Sequence, residues 1–153
     1  MSAARGAVTL REITGETVRA VCRLSDTLEP NQQRMVAPNA LSIAEAYFEP
    51  HAWFRAIYEE EEPVGFVMLY DAPEKDYVYL WRFMIAAPHQ RRSVGSRALE
   101  LVFEHARARP GVREVRASYV PIEGGAGPSY EKLGFVPTGE VDAGEVVIRR
   151  PLR

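Results

Sequence analysis

The chain is poor in the residues that would point to several common classes of protein. It has a single cysteine, Cys22, so an intramolecular disulfide is impossible. Its three histidines and one cysteine stand at no zinc-ligand spacing, which excludes a closed structural zinc site and leaves no metal expected. Charge of one sign is also missing: nineteen basic residues face twenty-one acidic ones, for a net −2. Nucleic-acid binders concentrate basic charge, so a nucleic-acid partner is not expected. No apolar run reaches the roughly 18–20 residues of a membrane helix, and no membrane partner is expected. The first six residues lack the apolar core of a secretion signal, and a cytoplasmic protein is expected. Arg outnumbers Lys 17 to 2, a bias of composition rather than a functional signal.

What is present is a chain of 153 residues, 46% hydrophobic, enough for one well-packed domain over 1–153 and too short for two ordinary ones. Val8–Ile13 alternates apolar and polar and reads as a strand. Thr14 is placed to cap a helix over Thr17–Leu24. Residues 25–40 read as irregular, because Pro30 and Pro38 interrupt any period. A short helix is expected around Ser42–Tyr47, then a strand pair, Ala52–Tyr58 and Val64–Tyr70. Between them Glu59-Glu60-Glu61-Glu62 reads as a solvated hairpin tip. Tyr77–Ile85 is apolar enough for a central strand. From Val94 the period turns helical, with Val94, Ala98, Leu101, Val102 and Ala106 on one face, until Pro110-Gly111. A strand over Val112–Tyr119, a helix near Ser129–Leu133 capped by Gly134, and strands Phe135–Thr138 and Glu145–Arg149 complete an α+β chain of mixed order.

The segment Pro88-His89-Gln90-Arg91-Arg92-Ser93-Val94-Gly95-Ser96-Arg97 joins the long strand to the long helix. A helix N-terminus offers unpaired N–H groups and the positive end of the dipole, so a small-residue turn there can close on a phosphate. Arg91, Arg92 and Arg97 crowd positive charge where the dipole disfavours it, which suggests an anion that offsets the cost. No Gly-Lys-Ser/Thr ends the loop and no Gly-x-Gly-x-x-Gly is present, so it is neither a Walker loop nor a dinucleotide fingerprint. Further on, Tyr130-Glu131-Lys132-Leu133-Gly134-Phe135 ends a helix and returns the chain to the core.

Gln90-x-x-Ser93-x-Gly95 between strand and helix, followed by Tyr-x-x-Leu-Gly-Phe, resembles the GNAT superfamily of acyl-CoA-dependent N-acetyltransferases, over roughly Val8–Leu152. The resemblance implies one domain with a mostly antiparallel sheet of six to seven strands flanked by helices. More finely, Gln33–Tyr47, Tyr79–Ile85 and the Thr138–Val147 ending resemble bacterial spermine/spermidine and diamine acetyltransferases.

The family's pattern then suggests roles. Acetyl-CoA is the implied cosubstrate. Its pantetheine arm would pair with the backbone of Met84 and Ile85, and its pyrophosphate would lie on the amides of Arg91, Arg92, Ser93, Val94, Gly95 and Ser96 behind Gln90. Tyr130 would protonate the leaving thiolate as general acid. Ser93 departs from the family's glycine, where a Cβ opposes a positive φ. Glu123 stands where an Asn is usual. A small-molecule amine is the implied partner, and a homodimer is compatible with the family. For a polyamine acceptor, Glu45, Asp71 and Glu123 would supply carboxylates, and Tyr47, Trp81 and Tyr119 aromatic walls. The same three carboxylates, or a water chain, are the candidates for the general base. His51, His89, His105 and Cys22 are read as structural. A protein, peptide or aminoglycoside amine acetyltransferase and a non-catalytic acyl-CoA-binding module are the alternatives.

Overall fold

The computed structural model describes residues 6–152. Seven strands form one sheet in the order β1-β2-β3-β4-β5-β7-β6. They are β1 (Val8–Arg11), β2 (Ala52–Glu59), β3 (Glu62–Tyr70), β4 (Tyr77–Ile85), β5 (Glu114–Tyr119), β6 (Val136–Asp142) and β7 (Glu145–Pro151). Every neighbouring pair is antiparallel except β4 with β5. The helices are α1 (Val18–Arg23), α2 (Pro30–Met35), α3 (Asn39–Tyr47), α4 (Val94–Ala108) and α5 (Gly127–Lys132). Among the described residues no helix is long and apolar enough to cross a membrane.

Strand alternation sorts the interior onto the two faces of the sheet. On one face Ile57, Val67, Leu69, Val78, Leu80, Ile85, Val115, Ala117 and Ile148 meet Val94, Ala98, Leu99, Val102, Phe103 and Ala106 of α4. Tyr119, Tyr130 and Phe135 join that side. On the other face Ala56, Tyr58, Phe66, Met68 and Met84 meet Val21, with Ile43 and Ala46 of α3 packed against them. The helices α1 and α3 lie over β2 and β3, and the same face of β5 and β7 carries Glu114, Arg116, Ser118, Glu145 and Arg149, with Val147 among them.

Residues 25–40 differ from the irregular segment expected of them. They hold a turn of 3-10 helix over Leu24–Thr27, all of α2, and the start of α3 three residues before Ser42. Both prolines begin helices: Pro30 is the first residue of α2 and Pro38 caps α3. A helix's first N–H has no partner within the helix, so proline costs nothing there. Glu29 and Gln32 form a reciprocal capping box on α2.

The acidic run also differs. Only Glu60 and Glu61 form the turn, because Glu59 ends β2 and Glu62 begins β3. Glu59 is buried, its carboxylate 3.4 Å from both Arg92 and Arg97. Gly134 does follow the last turn of α5 at φ +94, where a Cβ would come within 2.9 Å of the Arg150 side chain. The β6–β7 turn is Ala143-Gly144, both at positive φ, the conformation that matches the twist of a tight hairpin. It carries β6 to Asp142, well beyond the expected Thr138.

Candidate active site

The parallel pair is where the sheet opens. β4 and β5 pair only from Tyr77–Glu114 to Tyr79–Arg116. Beyond Tyr79 the two strands no longer pair, and β4 runs on to Ile85 and the loop that enters α4. Opposite the gap, β4 pairs with β3 with one residue too many: Met68 faces Arg82 and Leu69 faces Leu80, so Trp81 is a bulge. Trp81 packs with the second core cluster, and the Arg82 guanidinium lies 5.4 Å from its ring.

The fork presents backbone, but not all of the residues expected. Ala86 N–H donates to Val64 of β3 at 2.8 Å, and the Met84 carbonyl lies over Gly65, where a Cβ would approach it to 2.5 Å. Met84 therefore spends its peptide groups on β3, contrary to expectation. By alternation Phe83 and Ile85 face the gap. The Ile85 carbonyl accepts a hydrogen bond from the Gln90 side-chain amide at 2.8 Å. Gln90 also pairs with Gln32 of α2 at 3.2 Å, so it ties the loop to the strand and to the helix before it.

The loop itself has the shape of an anion cradle. Arg91 and Ser93 both take φ +64, folding the chain sharply into α4. The first bond of α4 runs from Arg97 N–H to Ser93 carbonyl at 3.0 Å, which leaves the N–H groups of Val94, Gly95 and Ser96 outside the intrahelical ladder. Gly95 has room, with no atom closer than 3.7 Å to a Cβ placed there. The three arginines do not act alike. Glu59 engages Arg92 and Arg97, so much of the charge expected to await an anion is neutralised inside the protein. His89 sits between Glu59 and Glu62, 3.8 and 3.4 Å from their carboxylates. Arg91 and Arg92 stay exposed, while Arg97 is half-buried.

Tyr130 projects from α5 toward Tyr119 and Phe135, with ring centroids 6.5 and 5.2 Å away. Burial pushes its phenol up to about 12, and Tyr79 adds to the shift. The hydroxyl therefore stays protonated across the working range of most enzymes. Tyr79, the last paired residue of β4, crosses the fork to Ser118 of β5: the two hydroxyls are 2.6 Å apart. Ser118 donates in turn to Glu145 of β7 at 2.9 Å. Burial raises the Tyr79 pKa, the bond to Ser118 opposes this, and Glu145, Asp142 and Glu140 raise it further.

The expected acceptor residues are dispersed. Asp71 follows β3 at the end of the sheet away from the loop, ion-paired to Arg109 and 3.6 Å from His105 at the C-terminal end of α4. It is a structural pair and no part of the fork. His105, expected on the surface, is half-buried and stacked on Trp53 at 4.2 Å. Burial lowers its pKa against the opposing pull of Asp71. Glu45 of α3 is neutralised by Arg82 at 2.9 Å. Glu123 is exposed in the loop before α5, and Tyr47 is 84% exposed. Tyr119 lies on the α4 face, opposite Trp81, so the two cannot wall one groove. The acidic group that does reach the fork is Glu145, held by Ser118, and the charges of Asp142 and Glu140 also act on Tyr79; the sequence pattern does not single out these three as site residues. The hairpin turn at Ala143-Gly144 was their one visible signal.

A seven-stranded sheet forked at its parallel pair, with the N-terminus of a long helix at the open end, is an acetyltransferase class of fold. The chain belongs to the acetyltransferase (GNAT) family, whose model matches residues 19–135. It is similar in structure to an acetyltransferase from Thermus thermophilus, with a TM-score of 0.75 and 21% identity over 95% of this chain and 97% of that one. A spermidine N-acetyltransferase chimera from Vibrio cholerae aligns with a TM-score of 0.72 and 14% identity over 95% of each chain. A microcin C7 self-immunity acetyltransferase, solved with acetyl-CoA and AMP, aligns with a TM-score of 0.75 and 11% identity over 94% and 92%. At these identities the likeness is one of fold. No curated protein matches the sequence significantly.

Proposed function

We propose that the protein transfers an acetyl group from acetyl-CoA to a primary amine by direct attack in a ternary complex. The observation that carries this reading is the fork: β4 and β5 part after Tyr79 and open onto the loop where Arg91 and Ser93 turn the chain into α4. The residues there suit acetyl-CoA. Unpaired amides of Val94, Gly95 and Ser96, with Arg91 beside them, suit a pyrophosphate, while Phe83 and Ile85 offer backbone to an amide-bearing arm. Bound there, acetyl-CoA supplies the activated acyl group. Tyr130 holds a proton that the departing thiolate needs, and its raised pKa keeps it in the acid form. A non-catalytic acyl-CoA-binding module would have no use for that phenol.

For the acceptor the reading is a cationic amine, with spermidine or spermine the leading choice. Support comes from Gln33–Tyr47, which resembles the polyamine sub-family, and from the carboxylates of Glu140, Asp142 and Glu145 beside Tyr79. Spaced carboxylates suit a chain of ammonium groups. The test is thiol release from acetyl-CoA with spermidine, spermine, a peptide amine and an aminoglycoside. Turnover of the polyamines carries the reading. Turnover of the peptide or aminoglycoside alone moves the acceptor to that class, and failure to bind acetyl-CoA in calorimetry removes the acetyltransferase reading.

A further inference from the structure

The attacking nitrogen of an amine substrate arrives as an ammonium, because such amines titrate near 10. It must lose that proton before its lone pair can reach a thioester. β4 carries no carboxylate, and Asp71 and Glu45 are committed to Arg109 and Arg82. One polar chain does reach the fork. Ser118 has a single hydroxyl proton and donates it to Glu145, so the short contact between the two hydroxyls requires Tyr79 to donate to Ser118. The chain is therefore polarised in one direction, from the fork to the carboxylate. Tyr79 has its donor committed and oxygen lone pairs left to accept.

We propose that Tyr79, Ser118 and Glu145 form the proton outlet of the acceptor amine. The proposal rests on the acetyltransferase reading and adds to it the missing base. In the step, an ammonium N–H bond breaks and its proton goes to the Tyr79 oxygen. Tyr79 passes its own proton to Ser118, and Ser118 passes its own to a Glu145 carboxylate oxygen. The result is a neutral amine, unchanged hydroxyls and a carboxylic acid. The amine lone pair then forms the C–N bond and the C–S bond breaks. The thiolate takes the Tyr130 proton, and the surplus N–H proton of the new amide returns to the Tyr130 oxygen, so that neutral amide, thiol and phenol result and Glu145 gives its proton to solvent. Only Tyr79 touches the substrate, so Ser118 and Glu145 are positioning residues that act through it.

The surroundings fit this role. Asp142 and Glu140 of β6 raise the Tyr79 pKa further by their charge, and Tyr79 in turn adds to the shift of Tyr130 on α5. The nearest cation on β5, Arg116, is occupied by Glu114 and by the Tyr77 ring, 4.1 Å from its guanidinium. Arg149 of β7 also turns to Glu114. The carboxylates whose charge Tyr79 feels suit an incoming ammonium, and its hydroxyl stays neutral as a relay must.

The experiment compares wild type with Tyr79→Phe and Glu145→Gln, using acetyl-CoA and the best amine of the panel, over pH 6 to 10. Gln keeps an acceptor for Ser118 but cannot take its proton. With the outlet working, kcat/KM levels off well below the amine's own pKa. Without it, the enzyme waits for neutral amine from solution, so kcat/KM falls about 10²-fold near neutrality. It then climbs about tenfold per pH unit toward the amine's pKa near 10. A merely structural role would lower activity equally at every pH. Calorimetry with acetyl-CoA should give the same affinity in all three proteins. Variants that keep the wild-type rate and profile, or lose rate uniformly with pH, overturn the outlet and leave the acetyltransferase reading standing. A wild type that binds no acetyl-CoA or acetylates no amine overturns both.

Discussion

Ser93 is a non-glycine residue held in the left-handed region, at φ 64 and ψ 5, where the chain enters α4. For an L-residue that conformation costs about 1–2 kcal/mol, through the closeness of Cβ to the following carbonyl. Replacing Ser93 by Gly removes the Cβ and the cost. It also frees the unfolded chain, which returns about 0.4–1 kcal/mol in favour of unfolding. The balance is a net stabilisation of about 0.5–1 kcal/mol. For a protein of this size that raises Tm by about 1–4 °C, measured by thermal denaturation followed by circular dichroism. Acetyl-CoA affinity, from calorimetry, should rise or hold, since the turn is the shape the cradle needs and Gly adopts it freely. Ser93→Ala isolates the hydroxyl, because it keeps the Cβ and its strain. If Ser93→Gly melts lower than wild type, the strain reasoning is wrong. If both variants lose acetyl-CoA affinity together, the hydroxyl is itself a phosphate ligand and the glycine of the family pattern is not an improvement here.

Tyr130→Phe should lower kcat about 10²-fold with acetyl-CoA affinity unchanged, since the ring stays and only the proton is lost. The wild-type kcat should show no basic limb from Tyr130 anywhere below about 12, a point for stopped-time assays up to pH 10. Glu59→Gln leaves Arg92 and Arg97 without their buried counter-charge and should destabilise the fold by about 1–3 kcal/mol, read as a lower midpoint in urea. His105 has a folded pKa below its ordinary value of 6.5, so the unfolded state takes up its proton first. Its contribution is present above about pH 6.5 and is lost as pH falls toward the lowered folded value. His105→Phe, which keeps a ring against Trp53, should flatten the dependence of Tm on pH below 6.5, and an unchanged slope would show that another group causes it.

What was legible in the sequence was local. The apolar runs of Val64–Tyr70 and Tyr77–Ile85, the helical period from Val94, the stop at Pro110-Gly111 and the cap at Gly134 depend on residues a few positions apart, and each is present in the structure. So is the loop from Gln90 to Ser96, because a turn into a helix is written in adjacent residues. Pro30 and Pro38 misled for the same reason: a proline ends one period and begins another, and only the following turn shows which.

The fork, its base and its charge balance were decided by tertiary structure. Whether Glu59 is a hairpin tip or the buried partner of Arg92 and Arg97 depends on α4 crossing the end of β2, which the run of four glutamates does not encode. That Met84 faces β3 while Phe83 and Ile85 face the gap depends on the bulge at Trp81. Asp71 and Glu145 look alike in sequence, one carboxylate beside a strand. Strand order sends Asp71 to the far end of α4, and sets Glu145 one hydroxyl, that of Ser118, from Tyr79 at the point where β4 and β5 part. Residues 79, 118 and 145 meet because β7 inserts between β5 and β6, a long-range pairing whose energy is spread over the whole sheet and over no segment a local reading can see.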